Sequence, residues 1–359
     1  METGPKPILG ISVGDPGGIG PEVTAKALSR ADIYDIARPL VVADCRTMAD
    51  VLRFTDVDLK LNPIGDVGQG RYEHGTVDIL DMQNMDMAHL RYKKVTPEQG
   101  RAAFEYVTKV IELAMQGDID GTVTGPIHKE AIHAAGHNFA GHTEIYATYT
   151  KTRDYTMMLT HGDFRLTHVS THVSLRQACD LVKKDRIIRV IDLTEAALKN
   201  FGIAAPRIGV AGLNPHCGEG GLFGHEDEAE ILPAVEHARQ QGKQVEGPIP
   251  ADTIFSKMKG GMYDAVVVMY HDQGHIPIKF LGFEYDEKTG QWGGMSGVNV
   301  TLGLPIVRTS VDHGTAFGKA GEGRANPQSM IDAIRLAALL SRKNCCNHSA
   351  TKAQRQQDA

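Results

Sequence analysis

Short runs of β-branched and aliphatic residues alternate along the chain with longer stretches whose apolar positions recur at helical spacing. Seven runs read as strands: ILGISV (8–13), PLVVAD (39–44), DGTVTG (120–125), RLTHVS (165–170), RIGVAG (207–212), DAVVVMY (264–270) and PIVRTS (305–310). Between them the pattern predicts helices over 21–30, 46–54, 97–116, 127–135, 175–200, 226–241 and 326–342. Strand and helix in alternation is the signature of an α/β fold, a mostly parallel sheet covered by helices. The helix over 97–116 has the clearest start: Thr96 suits the N-cap, Pro97 the first turn, and Glu98 and Glu112 sit among apolar positions at helical spacing. No repeat, low-complexity tract or Pro-rich linker divides the chain. At 359 residues, and with roughly 100 to 200 residues to a domain, two lobes are expected, their split set by topology. The last stretch, CCNHSATKAQRQQDA, is polar and non-periodic, and a mobile tail over 344–359 is expected.

Composition narrows the partners. Apolar residues make up 42% and charged residues 23%, the balance of a soluble globular protein. The net charge is −6 and no long Lys/Arg block occurs, which argues against nucleic acid or an anionic membrane as partner while leaving room for an anionic substrate. METGPKP lacks the basic start and apolar core of a signal peptide, and no apolar run approaches the roughly 18 residues of a membrane span. A cytoplasmic protein is expected. Cys45, Cys179, Cys217, Cys345 and Cys346 form no CxxC pair, which suits a reducing compartment. Histidine is the unusual count, at 16.

Three of those histidines share an address. His172 follows RLTHVST, His216 follows RIGVAGLNP and His271 opens HDQGH after DAVVVMY, each just beyond the carboxyl end of a predicted strand. Ligands bind outside those ends in open α/β sheets, and neutral imidazole is a common ligand for divalent transition metals. Equivalent placement of three favours a metal site over three histidines satisfied separately by loop backbone. The Gly-rich segment LNPHCGEGGLFGHEDE (213–228) reads either as backbone that approaches a ligand or as a surface loop in which Asn214, Glu219 and His225 are merely soluble.

GDPGGIGPEV (14–23) is not a dinucleotide fingerprint: after Gly18 and Gly20 the pattern needs glycine at 23, where Val23 stands. Pro21 and Glu22 read as the first turn of a helix after a tight turn. RTSVDHGTAFGKAGEGRAN (308–326) again links a strand to a helix, and its small residues at 314–316 would admit a flat or phosphate-bearing ligand. Lys279 and Arg308 are candidate phosphate grips, and His142 and Thr143 stand at a predicted helix start, where backbone N–H groups favour anions. Each taken singly also reads as a solvated surface group.

Together, GDPGGIGPE, GHTE, STH, NPHCGEGG, YHDQGH and GVNVTLGLPIVRTSVDHGTA resemble, in order and spacing over about residues 6–340, the 4-hydroxythreonine-4-phosphate dehydrogenase (pyridoxal phosphate biosynthesis protein A) family. HDQGHIP and the neighbouring LGF look more like its D-threonate 4-phosphate dehydrogenase branch. The resemblance implies an isocitrate/isopropylmalate-dehydrogenase-like fold of two α/β/α lobes with a cleft between them. The first lobe would span 1–140 with 304–343, and the second 141–303 would carry the metal site and dimer interface. It also implies a homodimer with shared active sites and one divalent cation (Zn, Mg, Mn or Co) held by His172, His216 and His271. Substrate contacts map to His142, Thr143, Lys279, Asn299 and Arg308, with Lys279 and His142 the candidates for catalysis. Gly314, Thr315 and Ala316 match the nucleotide loop for NAD, with NADP the alternative cofactor.

The implied reaction is oxidation at the C3 hydroxyl to a β-keto acid that loses CO2. From D-threonate 4-phosphate the products would be dihydroxyacetone phosphate and CO2; from 4-hydroxy-L-threonine 4-phosphate the C2 amine is kept. One departure touches the pocket: about ten extra residues, EYDEKTGQWGG (284–294), between Lys279 and Asn299, either a surface hairpin or a reshaping of the pocket. A phosphohydrolase on the same histidines would release phosphate without a nicotinamide and leave DHGTA without a role. A structural metal would be closed to the cleft.

Overall fold

The structure, a computed structural model, describes residues 5–282, 285–286, 291–292 and 297–357, with side chains described over 5–282 and 297–342. Numbered along the chain, the strands are β1 (Ile8–Ser12), β2 (Arg38–Ala43), β3 (Lys60–Ile64), β4 (Thr76–Asp81), β5 (Gly121–Thr124), β6 (Thr156–His161), β7 (Phe164–His168), β8 (Arg207–Ala211), β9 (Gln244–Ile249), β10 (Ala265–Val268), β11 (Tyr285–Asp286), β12 (Gln291–Trp292), β13 (Val298–Leu302) and β14 (Arg308–Val311). The helices are α1 (Gly20–Leu28), α2 (Ala31–Ile36), α3 (Cys45–Leu52), α4 (Pro97–Gln116), α5 (Lys129–Ala134), α6 (His142–Tyr149), α7 (Leu175–Leu181), α8 (Lys184–Asn200), α9 (Leu232–Gln240), α10 (Ala251–Lys259), α11 (His271–Gly282) and α12 (Gln328–Gln357).

The chain forms two compact units, one of Met1–Thr152, Gly294–Val298 and Leu304–Ala359, the other of Arg153–Gly293 and Asn299–Gly303. In the first, the strands run in the order β3-β4-β2-β1-β5-β14 and all neighbours are parallel. Helix α4 covers the middle of this sheet. Its start follows the sequence reading, Thr96 Oγ1 accepting from the N–H of Gln99 at 3.3 Å and Pro97 in the first turn. Gly117 ends it in the left-handed conformation (φ 78°), and Ala103, Tyr106, Val107, Val110, Ile111 and Ala114 form the buried stripe. α6 belongs to this unit: its Tyr146 is buried and donates to Thr122 Oγ1 of β5 at 2.9 Å.

In the second unit the order is β13-β6-β7-β10-β8-β9, with β7, β10, β8 and β9 parallel and β6 antiparallel to β7. Val267 and Met269 pack into one core with Val190, Ile191 and Val210, while Val266 and Val268 pack into another with Leu159, Leu166 and Ile254. The run AVVV is apolar throughout because both faces of β10 are covered.

Several elements escaped the hydrophobic pattern. β3 and β9 lie at the outer ends of these orders and carry Pro63 and Pro248, which cannot donate to a ladder and are tolerated at an edge. β4 holds a buried carboxylate, Asp78, satisfied by Asn62 Nδ2 and the Tyr72 N–H, both at 2.7 Å. The helix expected over 175–200 is two: the chain leaves α7 at Val182, which is extended and fully buried, and the Glu230 carboxylate accepts from Lys184 N–H at 2.8 Å to open α8. The stretch 226–241 begins as a π-turn, Asp227–Ile231, and becomes regular only where Pro233 stands in the first turn of α9. α12 runs to Gln357, through most of the segment expected as a tail, whose side chains lie outside the described residues. Within the extra segment, β11 and β12 pair antiparallel, Tyr285 with Trp292 and Asp286 with Gln291.

Candidate active site

β7, β10 and β8 are consecutive, parallel neighbours, and the loops after them begin with the segments that carry His172, His271 and His216. The sheet thus delivers all three imidazoles from adjacent carboxyl ends. His172 and His271 are brought together, ring centroids 5.7 Å apart. That separation suits two imidazoles on one cation. His216 stands apart from the pair: its ring neighbour is Phe223, at 6.3 Å, and among the described residues no three His, Cys, Asp or Glu side chains form a metal-holding group.

The pentapeptide HDQGH opens α11, a helix the hydrophobic pattern did not reveal. Each of its residues has a task. His271 is partly exposed and its Nδ1 bonds the Asp272 carboxylate at 2.7 Å, leaving Nε2 as the free nitrogen. Gln273 is buried, accepts from Met269 N–H at 2.7 Å and donates to the Gly212 carbonyl at 2.8 Å, tying the end of β10 to the end of β8. At Gly274 a Cβ would stand 2.4 Å from His168 Nε2, so only glycine lets that ring in. His275 stacks on His271 with centroids 3.6 Å apart and planes 8° from parallel. Burial pushes His168 down to about 3 and His275 to about 4, with neighbouring imidazoles adding to both shifts. Both rings are therefore neutral near pH 7. Lys279 is half-buried two turns along the His271 face of α11.

The loop with His216 is held, not loose. Six successive residues from His216 to Gly221 have positive φ, between 43° and 91°. Three of them, His216, Cys217 and Glu219, carry side chains, a strain of about 1–3 kcal/mol each. The anchor is Asp227, fully buried, whose carboxylate accepts from the N–H of Leu213 at 2.9 Å and of Asn214 at 3.0 Å. Asn214 Nδ2 reaches Glu226 at 2.7 Å and Asp227 at 3.0 Å. Glu219 and His225 remain exposed. Burial, then Asp227, pushes the Cys217 thiol up to about 11, away from reactive thiolate. Asn299 on β13 gives its Nδ2 to Met157 Sδ, and its Oδ1 is buried without a hydrogen-bond partner.

The first unit carries the other candidates. α6 begins at His142 as expected, its N-cap Gly141 offering no side-chain cap, so the first-turn N–H groups of His142 and Thr143 are open to an anion. Burial, then the nearby Arg308, holds His142 well below its usual range, and its Nε2 is buried without a partner. It is a neutral imidazole. Arg308 opens β14 at 3% exposure, donates to Thr124 Oγ1 at 3.0 Å and lies 5.5 Å over the Tyr146 ring. Burial lowers it to about 10, still charged at neutral pH, with Tyr146 and Glu144 opposing the shift.

Gly314, Thr315 and Ala316 follow the other end of β14. A Cβ at Gly314 would meet nothing within 4 Å, leaving bare backbone there, and Ala316 is left-handed (φ 43°). Thr315 is committed to packing: it is 8% exposed and its carbonyl accepts from Ile19 N–H at 3.0 Å, joining the loop to the first glycine turn. In that turn Asp15 is fully buried, Oδ1 accepting from Gly17 N–H at 2.8 Å and Oδ2 unpartnered. Burial raises it from the usual 3.8 to about 6, against the Gly17 bond, His128 and Gln99. Sequence reasoning named neither Asp15 nor Gln99, His128, His168, Asp227 or Gln273. GDPGGIGPE held Asp15, LNPHCGEGGLFGHEDE held Asp227 and HDQGH held Gln273, each as dense polar punctuation after an apolar run.

Glycine turns, histidines and a buried arginine lie at strand ends of a mostly parallel α/β fold. The family model described as pyridoxal phosphate biosynthetic protein PdxA matches residues 35–337. A relative from Symbiobacterium thermophilum, provisionally named D-threonate 4-phosphate dehydrogenase, is 46% identical over 338 residues, 94% of this chain and 97% of its own. Solved 4-hydroxythreonine-4-phosphate dehydrogenases are similar throughout. The one from Klebsiella pneumoniae is 40% identical with TM-score 0.83, over 94% of this chain and 100% of that one. The one from Burkholderia phymatum is 42% identical with TM-score 0.80, over 94% and 99%. The chain belongs to the PdxA family and has its α/β fold. It is a dehydrogenase, an oxidoreductase acting on a CH–OH group, of the family that works on phosphorylated hydroxy acids. No helix among the described residues is long and apolar enough to cross a membrane.

Proposed function

We propose that the protein catalyses the NAD-dependent oxidation and decarboxylation of a 4-phosphorylated 3-hydroxy acid, D-threonate 4-phosphate or D-erythronate 4-phosphate, to dihydroxyacetone phosphate and CO2. The observation that carries the reading is the delivery of His172, His271 and His216 from three adjacent parallel strand ends. These three would hold one divalent cation shared across a homodimer, since within one chain His216 stands apart from the His172–His271 pair. The close His172–His271 pair, the His271 Nδ1 bond to Asp272 and the anchored, strained backbone at His216 support that donor set. All-imidazole donors favour Zn or Co over Mg or Mn. Bound there, the cation would supply polarisation of the oxygen on the oxidised carbon, and a nicotinamide would supply the hydride acceptor.

The remaining steps fall to side chains. Arg308 and the N–H groups at the start of α6 grip the phosphate, the arginine in a site where water does not screen it. His142, neutral and with an unpartnered Nε2, accepts a substrate hydroxyl proton or donates to a substrate oxygen. Asn299 Oδ1 accepts from a substrate donor. Lys279, on the His271 face of α11, moves the proton on and off the reacting atoms. The bare backbone at Gly314 and the exposed, left-handed Ala316, with Thr315 fixed between them, line the dinucleotide; NADP is the other candidate.

A homodimer completes the reading, because Leu222 (72%), Ile276 (66%), Phe280 (85%) and Leu175 (62%) leave large apolar side chains in water on the second unit. Phe280→Asp should shift the protein to monomer in sedimentation velocity at micromolar concentration. The enzyme works in the cytoplasm, in keeping with unpaired Cys45, Cys179 and Cys217.

The test of function is NADH formation with D-threonate, D-erythronate and 4-hydroxy-L-threonine 4-phosphates, with and without added Zn, Mn or Co. Turnover of the first two, dependent on cation, is expected. The solved dehydrogenases at 40–42% identity favour a second reading, 4-hydroxy-L-threonine 4-phosphate as substrate, and turnover of that compound alone would select it. Phosphate release without NAD would replace both with a phosphohydrolase.

A further inference from the structure

The geometry points to His275, the second histidine of HDQGH, as the positioning residue that fixes the ring plane of His271 for its cation. The inference rests on the reading of His271 as a ligand. His275 stands one helical turn after His271 at the start of α11, where positions i and i+4 share a face. These two imidazoles do more than share a face: they lie 3.6 Å apart and 8° from parallel.

Both ends of the stack are restrained. On His275, Nδ1 bonds the His271 backbone carbonyl at 2.9 Å, which assigns the proton to Nδ1 and holds its ring over its neighbour. On His271, Nδ1 bonds Asp272 at 2.7 Å. The bond to Asp272 sets which nitrogen of His271 faces outward, but an exposed carboxylate on the adjacent residue leaves rotation about that bond open. The flat face of His275 removes that freedom.

The surroundings hold His275 in turn. It is 9% exposed, and His168, fully buried, lies 5.0 Å from it at a 51° tilt. His168 fits there only because position 274 is glycine. A Leu or Met at 275 would fill the volume without presenting a flat face. Groups that orient a ligating histidine change metal affinity by about 10- to 100-fold when lost.

The test titrates Co(II) into the full-length protein stripped of metal with a chelator, reading affinity by competition and coordination by the visible bands. His275→Ala should weaken Co(II) binding by about 10- to 100-fold and alter those bands. His275→Phe keeps a flat ring and should bind within about 5-fold of wild type; His275→Asn keeps the bond to the carbonyl but not the stack and should resemble His275→Ala. Should the Ala variant not fold, the Phe and Asn variants decide between them. Wild-type affinity and spectrum in His275→Ala or His275→Asn would overturn the inference, as would loss in the Phe variant with recovery in the Asn variant. If the wild type itself takes up no Co(II), or His271→Ala takes it up unchanged, the cation reading fails first and is recognised as such.

Discussion

The two units offer their strand ends to chemistry in different ways. In the second, loops after β7, β10 and β8 bring forward side chains, His172, His271 and His216, with neutral imidazoles packed behind. In the first, the loop after β1 is a glycine turn packed tightly against its neighbours, the loop after β14 leaves backbone open at Gly314, and the charged groups, Asp15 and Arg308, are sunk at 0% and 3% exposure. On the proposed function, the contrast follows from the ligand each surface would take. A cation is held by a few lone pairs at fixed distance, so the ligating side chains must project and be oriented from behind. A phosphate or dinucleotide spreads its contacts, so backbone N–H groups and one unscreened guanidinium suffice.

Removal of a group from each surface should separate them. The largest effect is expected from His271→Ala: turnover should fall by about 1,000-fold together with bound metal, read by elemental analysis, while the melting temperature changes little because the ring is partly exposed. A loss of turnover with metal retained would break the contrast.

Asp15→Asn comes next and acts on stability. Asp15 titrates near 6 in the folded chain against 3.8, so the folded state holds the proton more tightly. Its stabilising contribution is complete below pH 3.8 and is lost as pH rises through 6, a swing of up to about 3 kcal/mol. The neutral amide lacks that swing. Relative to wild type, the variant should therefore gain stability between pH 4 and pH 8 in denaturant titrations, and an unchanged difference would show that burial does not raise the Asp15 carboxyl.

Arg308→Met should raise KM for the phosphorylated substrate by about 100-fold, with NAD affinity unchanged. Because a buried cation carries a desolvation cost, the melting temperature should hold or rise. A fall in melting temperature would make Arg308 a structural group first.

Much of this was legible in advance, unevenly. The run 97–116 was readable to the residue because cap, proline and terminal glycine are local signals. The strand AVVV was readable from composition, but α11 after it was not, since HDQGHIPIKF has a proline inside and only Ile278 among its apolar side chains is buried. The break at Val182 was hidden because its cause, burial of that side chain and a bond from the Lys184 N–H to the Glu230 carboxylate, involves residues far along the chain. The family resemblance was carried by punctuating motifs, and the family match upholds it.

Sequence alone determined the α/β alternation, the family and the address of each candidate histidine, because periodicity, caps and motif spacing act over a few residues. Tertiary structure alone decided that β10 lies between β7 and β8, that Asp227 anchors the loop of His216, and that a glycine at 274 admits His168. Those depend on which strand lies beside which and on what volume is left between them, quantities that long-range packing sets and no local pattern encodes.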